Sequence, residues 1–333
     1  MGIKFGINAL CYPDTPDIVK LAEEKRFDLA TIVEGQLLWR DVYSCLTICA
    51  IKTSRILLGP GMTNPVTRHP SVTAGAIATL NELSKGRAVL GIGRGNNALV
   101  TIGLSKASSE TLIEHVEAVK AYLLQKTGVA YHGGESTVPL WGKSKVPILV
   151  AAQGPRMLEV AGQIADGVVI LGPPEPSMLR WAVDRIKAGA RKEKGSAPEI
   201  HLYTHCYVSS DIEKAREMCK GPVSAAYNIF AAESTLKTEQ LPVELSSRLQ
   251  RVRNEMSYDF QKHLRVGAAH SRALTDEDID LWSIIGPPDG VIDKFSRLKE
   301  LGISNFLLSV PWDTHELRQF LDTFSDSVIS YFR

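Results

Sequence analysis

The chain has no surplus of either charge: 38 lysines and arginines stand against 37 aspartates and glutamates, a net of +1. Proteins that bind nucleic acid or anionic membranes usually carry a basic excess or a basic cluster. Neither is present. The cations are interleaved with carboxylates along the sequence, the pattern of a solvated surface. Long apolar runs are missing as well. No stretch approaches the ~20 residues that span a bilayer. The opening Met1-Gly2-Ile3-Lys4-Phe5-Gly6-Ile7 shows no charged segment ahead of a long apolar one, so no signal peptide is expected. Cysteine is sparse and odd in number, with five residues and no Cys-x-x-Cys. That argues against a disulfide framework and for reduced thiols in a cytoplasmic protein. Cys45 and Cys49, four apart on an expected helix, are too few ligands for a metal site. There is also no Gly-x-Ser-x-Gly, His-Glu-x-x-His, Walker loop or EF-hand.

What remains is a globular chain of 333 residues, 44% hydrophobic, with ample material for a large core. Short runs rich in Val, Ile and Leu recur at Ile3–Ile7, Asp28–Val33, Arg55–Gly59, Ala88–Ile92, Pro147–Ala151, Gly167–Leu171, Ile200–Val208 and Asn305–Val310. Near-continuous apolar runs are the signature of parallel strands buried on both faces. Stretches of helical period lie between most of them. Asp41 precedes Val42–Lys52, and His69-Pro70 opens a helix that ends before Gly86. Eight strands alternating with helices predict a closed (β/α)8 barrel, a TIM barrel, over residues 1–333 as a single domain. A doubly wound sheet would place phosphate-binding glycines after the first strand, where Asn8-Ala9-Leu10-Cys11-Tyr12-Pro13 has none. Two segments fall outside the alternation. Residues 128–146 read as a small hairpin around Gly133-Gly134, and residues 221–281 as a helical insertion, with Leu245, Leu249, Val252 and Met256 at helical spacing.

Barrel chemistry sits at the carboxyl ends of the strands. After the third run comes Gly59-Pro60-Gly61-Met62-Thr63-Asn64-Pro65-Val66-Thr67-Arg68-His69-Pro70, more glycine and proline than an ordinary turn requires. Such a backbone suits close approach of a planar ligand. After the fourth comes Gly91-Ile92-Gly93-Arg94-Gly95-Asn96-Asn97, an anion cradle of amides and one guanidinium, unless Arg94 is a salt-bridged surface residue. After the fifth, Gln153 and Gly154 precede a helix whose N-terminus attracts phosphate. Glu34, after the second run, either faces the barrel mouth to tune a cofactor or relay a proton, or caps structure through an ion pair with Arg40. His69 reads as a helix cap. His201 and His205 share one face of a strand without metal spacing, so no metal is expected. A phosphosugar isomerase or aldolase would want a lysine or paired carboxylates at strand ends, and no lysine is there.

Together the loops resemble those of the luciferase-like flavin and deazaflavin oxidoreductases, nearest to enzymes of the methylenetetrahydromethanopterin reductase type. The resemblance rests on Leu57 to Pro70, on Ala76–Leu83 with Gly86 to Gly93, and on Ala152-Gln153-Gly154-Pro155 with Ala165-Asp166-Gly167-Val168. Ile285-Gly286-Pro287-Pro288-Asp289 to Leu301-Gly302-Ile303 is similar to the family's closing β/α unit. The resemblance implies a TIM barrel that transfers a hydride between a bound flavin-type cofactor, FMN or F420, and a small organic substrate, as a monooxygenase or a reductase. It implies a homodimer, and a cis bond at or beside Gly61–Met62. Thr63 and Asn64 would then lie along the ring, with Arg94, Gly95, Asn96, Gln153 and Gly154 on the ribityl chain and phosphate. Many deazaflavin members carry an Asp-His-type pair after the second strand. This chain has Val33-Glu34-Gly35-Gln36 there, so Glu34 replaces the acid and the histidine is missing. A barrel that binds flavin without turnover is the alternative reading.

Overall fold

The computed structural model describes residues 2–191, 197–232, 243–265, 267–310 and 314–333. Its central sheet is parallel throughout. The strands are β1 (Lys4–Ala9), β2 (Leu29–Ile32), β3 (Leu57–Pro60), β4 (Leu90–Ile92), β7 (Ile148–Ala152), β8 (Gly167–Leu171), β9 (Glu199–Val208), β10 (Ser283–Gly286) and β11 (Asn305–Ser309). The remaining pair, β5 (Ala130–Tyr131) and β6 (Gly134–Glu135), forms a separate antiparallel hairpin. Eight strands follow one another in the order β3-β2-β1-β11-β9-β8-β7-β4. Two bridges, Leu58 to Ala88 and Thr63 to Ile92, close the ring between β3 and β4. The architecture is the expected TIM barrel.

The eight runs read from the sequence leave out β10, which pairs along the carboxyl half of β9, from Ser283 opposite His205 to Gly286 opposite Val208. Its four residues, Ser-Ile-Ile-Gly, follow directly on the helix that ends at Trp282, so no turn signal sets them apart from the segment read as an insertion.

The closure between β3 and β4 is uneven. From Leu58 to Thr63 the chain advances five positions, while Ala88 to Ile92 advances four, so β3 carries one extra residue. This β-bulge lies just where the strand enters its glycine-rich loop. The Gly61–Met62 peptide within it is cis.

The helices α1 (Thr15–Glu24), α2 (Val42–Lys52), α3 (Pro70–Leu83), the single turn α4 (Asn97–Val100), α5 (Ser109–Leu123), α6 (Pro155–Ile164) and α7 (Pro176–Ala190) follow the first six barrel strands. Their ends obey local chemistry. Asp41 caps α2 by accepting from the Ser44 amide at 2.8 Å, and His69 Nδ1 caps α3 by accepting from the Ser71 amide at 3.2 Å. Beyond β9 lie α8 (Ile212–Ala232), α9 (Val243–Glu255) and α10 (Asp276–Trp282), then α11 (Pro288–Glu300) and α12 (Thr314–Phe324). The helical segment thus starts at Ile212, earlier than the sequence pattern suggests; Leu249 and Val252 of α9 are fully buried. The side chain of Leu245 lies outside the described residues.

Two cores hold the barrel. Between sheet and helices, Phe5 packs edge-on to Phe295 and Phe324 with ring centroids 5.1 and 5.0 Å apart. Each such ring contributes roughly 1.5–3 kcal/mol by leaving water. Inside the barrel, Leu29, Val89, Leu149, Val169 and Leu307 form a smaller apolar cluster. That plug fills the amino-terminal end, so the open space lies at the carboxyl ends of the strands.

Candidate active site

A cavity of about 250 Å³ opens there. It is lined by nine of the ten residues expected from the sequence: Glu34, Gly61, Met62, Thr63, Asn64, Arg94, Gly95, Asn96 and Gln153. The tenth, Gly154, stands one residue behind, as the N-cap of α6, and does not line it.

The loops after β3 and β4 are zipped together by backbone bonds. The Thr63 amide donates to Gly91 at 3.0 Å, and the Gly93 amide donates to Thr63 at 2.9 Å. Asn64 Oδ1 accepts from the Val66 and Thr67 amides, both at 3.0 Å, which fixes the side chain in the turn. Its Nδ2 is buried with no partner, and so are Gln153 Oε1 and Glu34 Oε2. Gly61 lies so close to β1 and β2 that a Cβ would come within 2.6 Å of Asn8 Oδ1. Gly95 has φ +76°, open to glycine at little cost. The Arg94 Nε donates to the Ala107 carbonyl at 2.5 Å, which anchors the guanidinium at the cavity wall.

Glu34 is 7% exposed. Its ion-pair partner is Arg68, from the loop after β3, and not the Arg40 suggested by sequence proximity. Gln36 also donates to it, at 2.9 Å. Arg68 reaches Asp41 at 3.2 Å with its other nitrogen and lies over the Tyr43 ring at 5.1 Å. Proximity in sequence failed because the bulged loop carries Arg68 across the mouth of the barrel to the end of β2. The carboxylate is therefore held by a half-buried cation, with its second oxygen left unpartnered.

Sequence reasoning identified the shared face of His201 and His205 but not their direction. Both point into the barrel. His201 sits low, 3.6 Å from Glu199. His205 is higher, lines the cavity, and packs edge-on to Tyr203 with centroids 5.6 Å apart. Burial pushes its imidazole down to about 3, so it is neutral at pH 7. Its Nδ1 has no partner. An imidazole thus faces the cavity from β9, while Gly35 occupies the position after Glu34. The far wall comes from α8, with Trp282 at the end of α10 beside it. Among the described residues no group of three or more His, Cys, Asp or Glu side chains is placed to hold a metal ion.

A family model described as luciferase-like monooxygenase matches residues 10–305. The chain belongs to the luciferase-like monooxygenase family. It is 34% identical over 318 residues to the 5,10-methylenetetrahydromethanopterin reductase of Archaeoglobus fulgidus, covering 93% of this chain and 94% of that protein. To the same-named enzyme of Methanopyrus kandleri it is 32% identical over 341 residues, 93% of each. The solved coenzyme F420 dependent tetrahydromethanopterin reductase from M. kandleri superposes with a TM-score of 0.82 at 26% identity, over the whole of both chains. An FMN complex of a type II Baeyer-Villiger monooxygenase from Pseudomonas putida, 16% identical, shares the fold with a TM-score of 0.68 over 100% of this chain and 99% of that one. This luciferase-like chain is an oxidoreductase, and hydride transfer with a flavin-type cofactor, FMN or F420, is the chemistry these proteins point to. Nothing in them favours a flavin-binding barrel without turnover.

Proposed function

We propose that the chain is an F420-dependent reductase, passing a hydride between the deazaflavin and a small organic substrate. The observation that supports it is a glycine-lined cavity whose lining residues carry buried polar atoms without partners, Asn64 Nδ2 and Gln153 Oε1 among them. Leaving such an atom desolvated and unpaired costs roughly 1–3 kcal/mol, so the cavity suits a ligand that supplies the missing donors and acceptors. A planar ring edged with carbonyls and ring nitrogens does so. In this reading Gly61, Met62, Thr63 and Asn64 lie along the ring, and Arg94, Gly95, Asn96 and Gln153 hold the side chain and its phosphate. When bound, the cofactor supplies the hydride-carrying carbon; the protein orients it and excludes water. Glu34, fixed by Arg68, presents its free oxygen to the ring or substrate and keeps that edge hydrogen-bonded. F420 is preferred to FMN because the relatives at 32–34% identity over 93% of the chain are methylenetetrahydromethanopterin reductases, and the solved M. kandleri reductase is described as coenzyme F420 dependent.

Fluorescence titration tests this reading. F420 should bind at micromolar concentration or tighter, with FMN at least tenfold weaker. Arg94→Ala should weaken F420 far more than its phosphate-free chromophore. Tighter binding of FMN, or equal loss for both deazaflavins, would overturn the assignment.

We further propose that the chain works as a single domain, as a homodimer, in the cytoplasm. The dimer is supported by exposed apolar side chains on neighbouring helices α2 and α3, where Ile51 is 70% and Val72 55% exposed. The compartment is supported by five buried cysteines that are all free thiols.

A further inference from the structure

On α8, the residues that line the cavity are Pro222, Ala225, Ala226, Ile229 and Phe230. Their spacing, three and four apart, is one face of a helix. A wholly apolar stripe of this kind normally packs into a core, but here it borders open space. The adjoining face does the anchoring: Val223 and Tyr227 are fully buried, and the Tyr227 hydroxyl donates to Asp278 at 2.9 Å. The stripe is therefore a held wall.

Charge is scarce around it. Among the described lining residues Arg94 is the only permanent cation, and Glu34 is neutralised by Arg68. Two imidazoles complete the ionisable set apart from Tyr203. Burial keeps both neutral at pH 7, His205 down to about 3 and His263 down to about 4.

We infer that the bay between the α8 stripe and His205 holds the substrate, and that this substrate is a neutral, largely apolar molecule with one hydrogen-bonding group met by His205. The inference rests on the cofactor reading above, which commits Arg94 to the cofactor's phosphate. A phosphorylated or carboxylated substrate entering the bay would lose its water and find no cation there. An apolar body gains from the wall, and a single polar atom satisfies the orphaned imidazole.

Saturation-transfer NMR on the full chain, with and without F420, tests it with cyclohexanone as the neutral probe and glucose 6-phosphate as the anionic one. Cyclohexanone should receive saturation and glucose 6-phosphate should not. Ala226→Phe should abolish the cyclohexanone signal while changing the F420 dissociation constant less than twofold. His205→Phe should weaken cyclohexanone about tenfold. Ile229→Ala, which removes bulk and leaves the helix intact, should shift preference toward cyclooctanone. Glucose 6-phosphate displacing cyclohexanone would overturn the inference, as would a cyclohexanone signal indifferent to both α8 variants. If F420 fails to bind the unmodified chain, the cofactor reading falls, while the signal from the unloaded chain still reports on the bay.

Discussion

At the scale of single residues, the glycines around the cavity divide by what a side chain would meet. A Cβ on Gly91 would lie 2.2 Å from the Pro60 carbonyl oxygen, and one on Gly59 2.0 Å from that of Val89. These residues let β3 and β4 approach, and backbone cannot yield as a flexible side chain can. At Gly93 the nearest atom is Ala151 Cβ at 3.5 Å, an ordinary contact beside the cavity. Gly91→Ala should therefore destabilise the fold by about 1–3 kcal/mol, the usual cost of overpacking. Gly93→Val should leave the urea midpoint almost unchanged and weaken cofactor binding at least tenfold. Equal effects of the two variants on stability would show that Gly93 is structural. Glu34 and Arg68 invite a parallel test. Their side chains are 4% and 17% exposed, so removing the cation strands a buried carboxylate. Arg68→Met should cost about 3 kcal/mol, and adding Glu34→Gln should recover part of it. A double-mutant cycle reads that coupling directly.

At the scale of elements, legibility followed locality. The loops after β3, β4 and β7 stood out because glycine, proline and small polar residues mark unusual backbone wherever they cluster. The caps at Asp41 and His69 were readable for the same reason. What a window cannot hold was missed: Arg68 rather than Arg40 as the partner of Glu34, the inward direction of His205, and β10, whose pairing depends on the far half of β9. The α8 stripe was hidden too, since its periodicity does not say whether it faces a core or a cavity. Periodicity is informative on α2 for the opposite reason. Its sequence Val-Tyr-Ser-Cys-Leu-Thr-Ile-Cys-Ala-Ile-Lys is apolar nearly all round, a composition expected of a helix covered on every side. Yet Ile48 and Ile51 are 48% and 70% exposed, and Val72 on the neighbouring helix α3 is exposed too. The proposed homodimer, with a second copy of the chain covering this face, would account for both facts. Ile51→Glu combined with Val72→Glu should convert the proposed dimer to a monomer in sedimentation equilibrium while F420 affinity changes less than twofold. A wild-type chain that sediments as a monomer at micromolar concentration would remove the proposal.

At the scale of the whole molecule, the barrel buries imidazoles in an otherwise charge-balanced chain, and this sets its response to acid. His115, His205 and His263 are held down to about 4, about 3 and about 4, in each case chiefly because burial disfavours the charged ring. In the unfolded chain each titrates near 6.5. Between those values the unfolded state binds protons that the folded state refuses, so stability must fall as pH falls. The contribution is complete above about 6.5 and drains away toward about 4. The shifted carboxylates act elsewhere. Asp41 and Asp278 lie below their ordinary range despite burial, through hydrogen bonds and neighbouring arginines, so their contribution is lost only at still lower pH. The window from 6.5 to about 4.5 therefore belongs to the histidines. Urea unfolding at intervals across that window should show a steady decline in the midpoint with no plateau near pH 5. His205→Phe should flatten part of the slope, because it removes one suppressed titration while keeping the ring's bulk beside Tyr203. A midpoint that stays level down to pH 4.5 would mean that these rings protonate in place, and would contradict the suppressed titration argued from their burial.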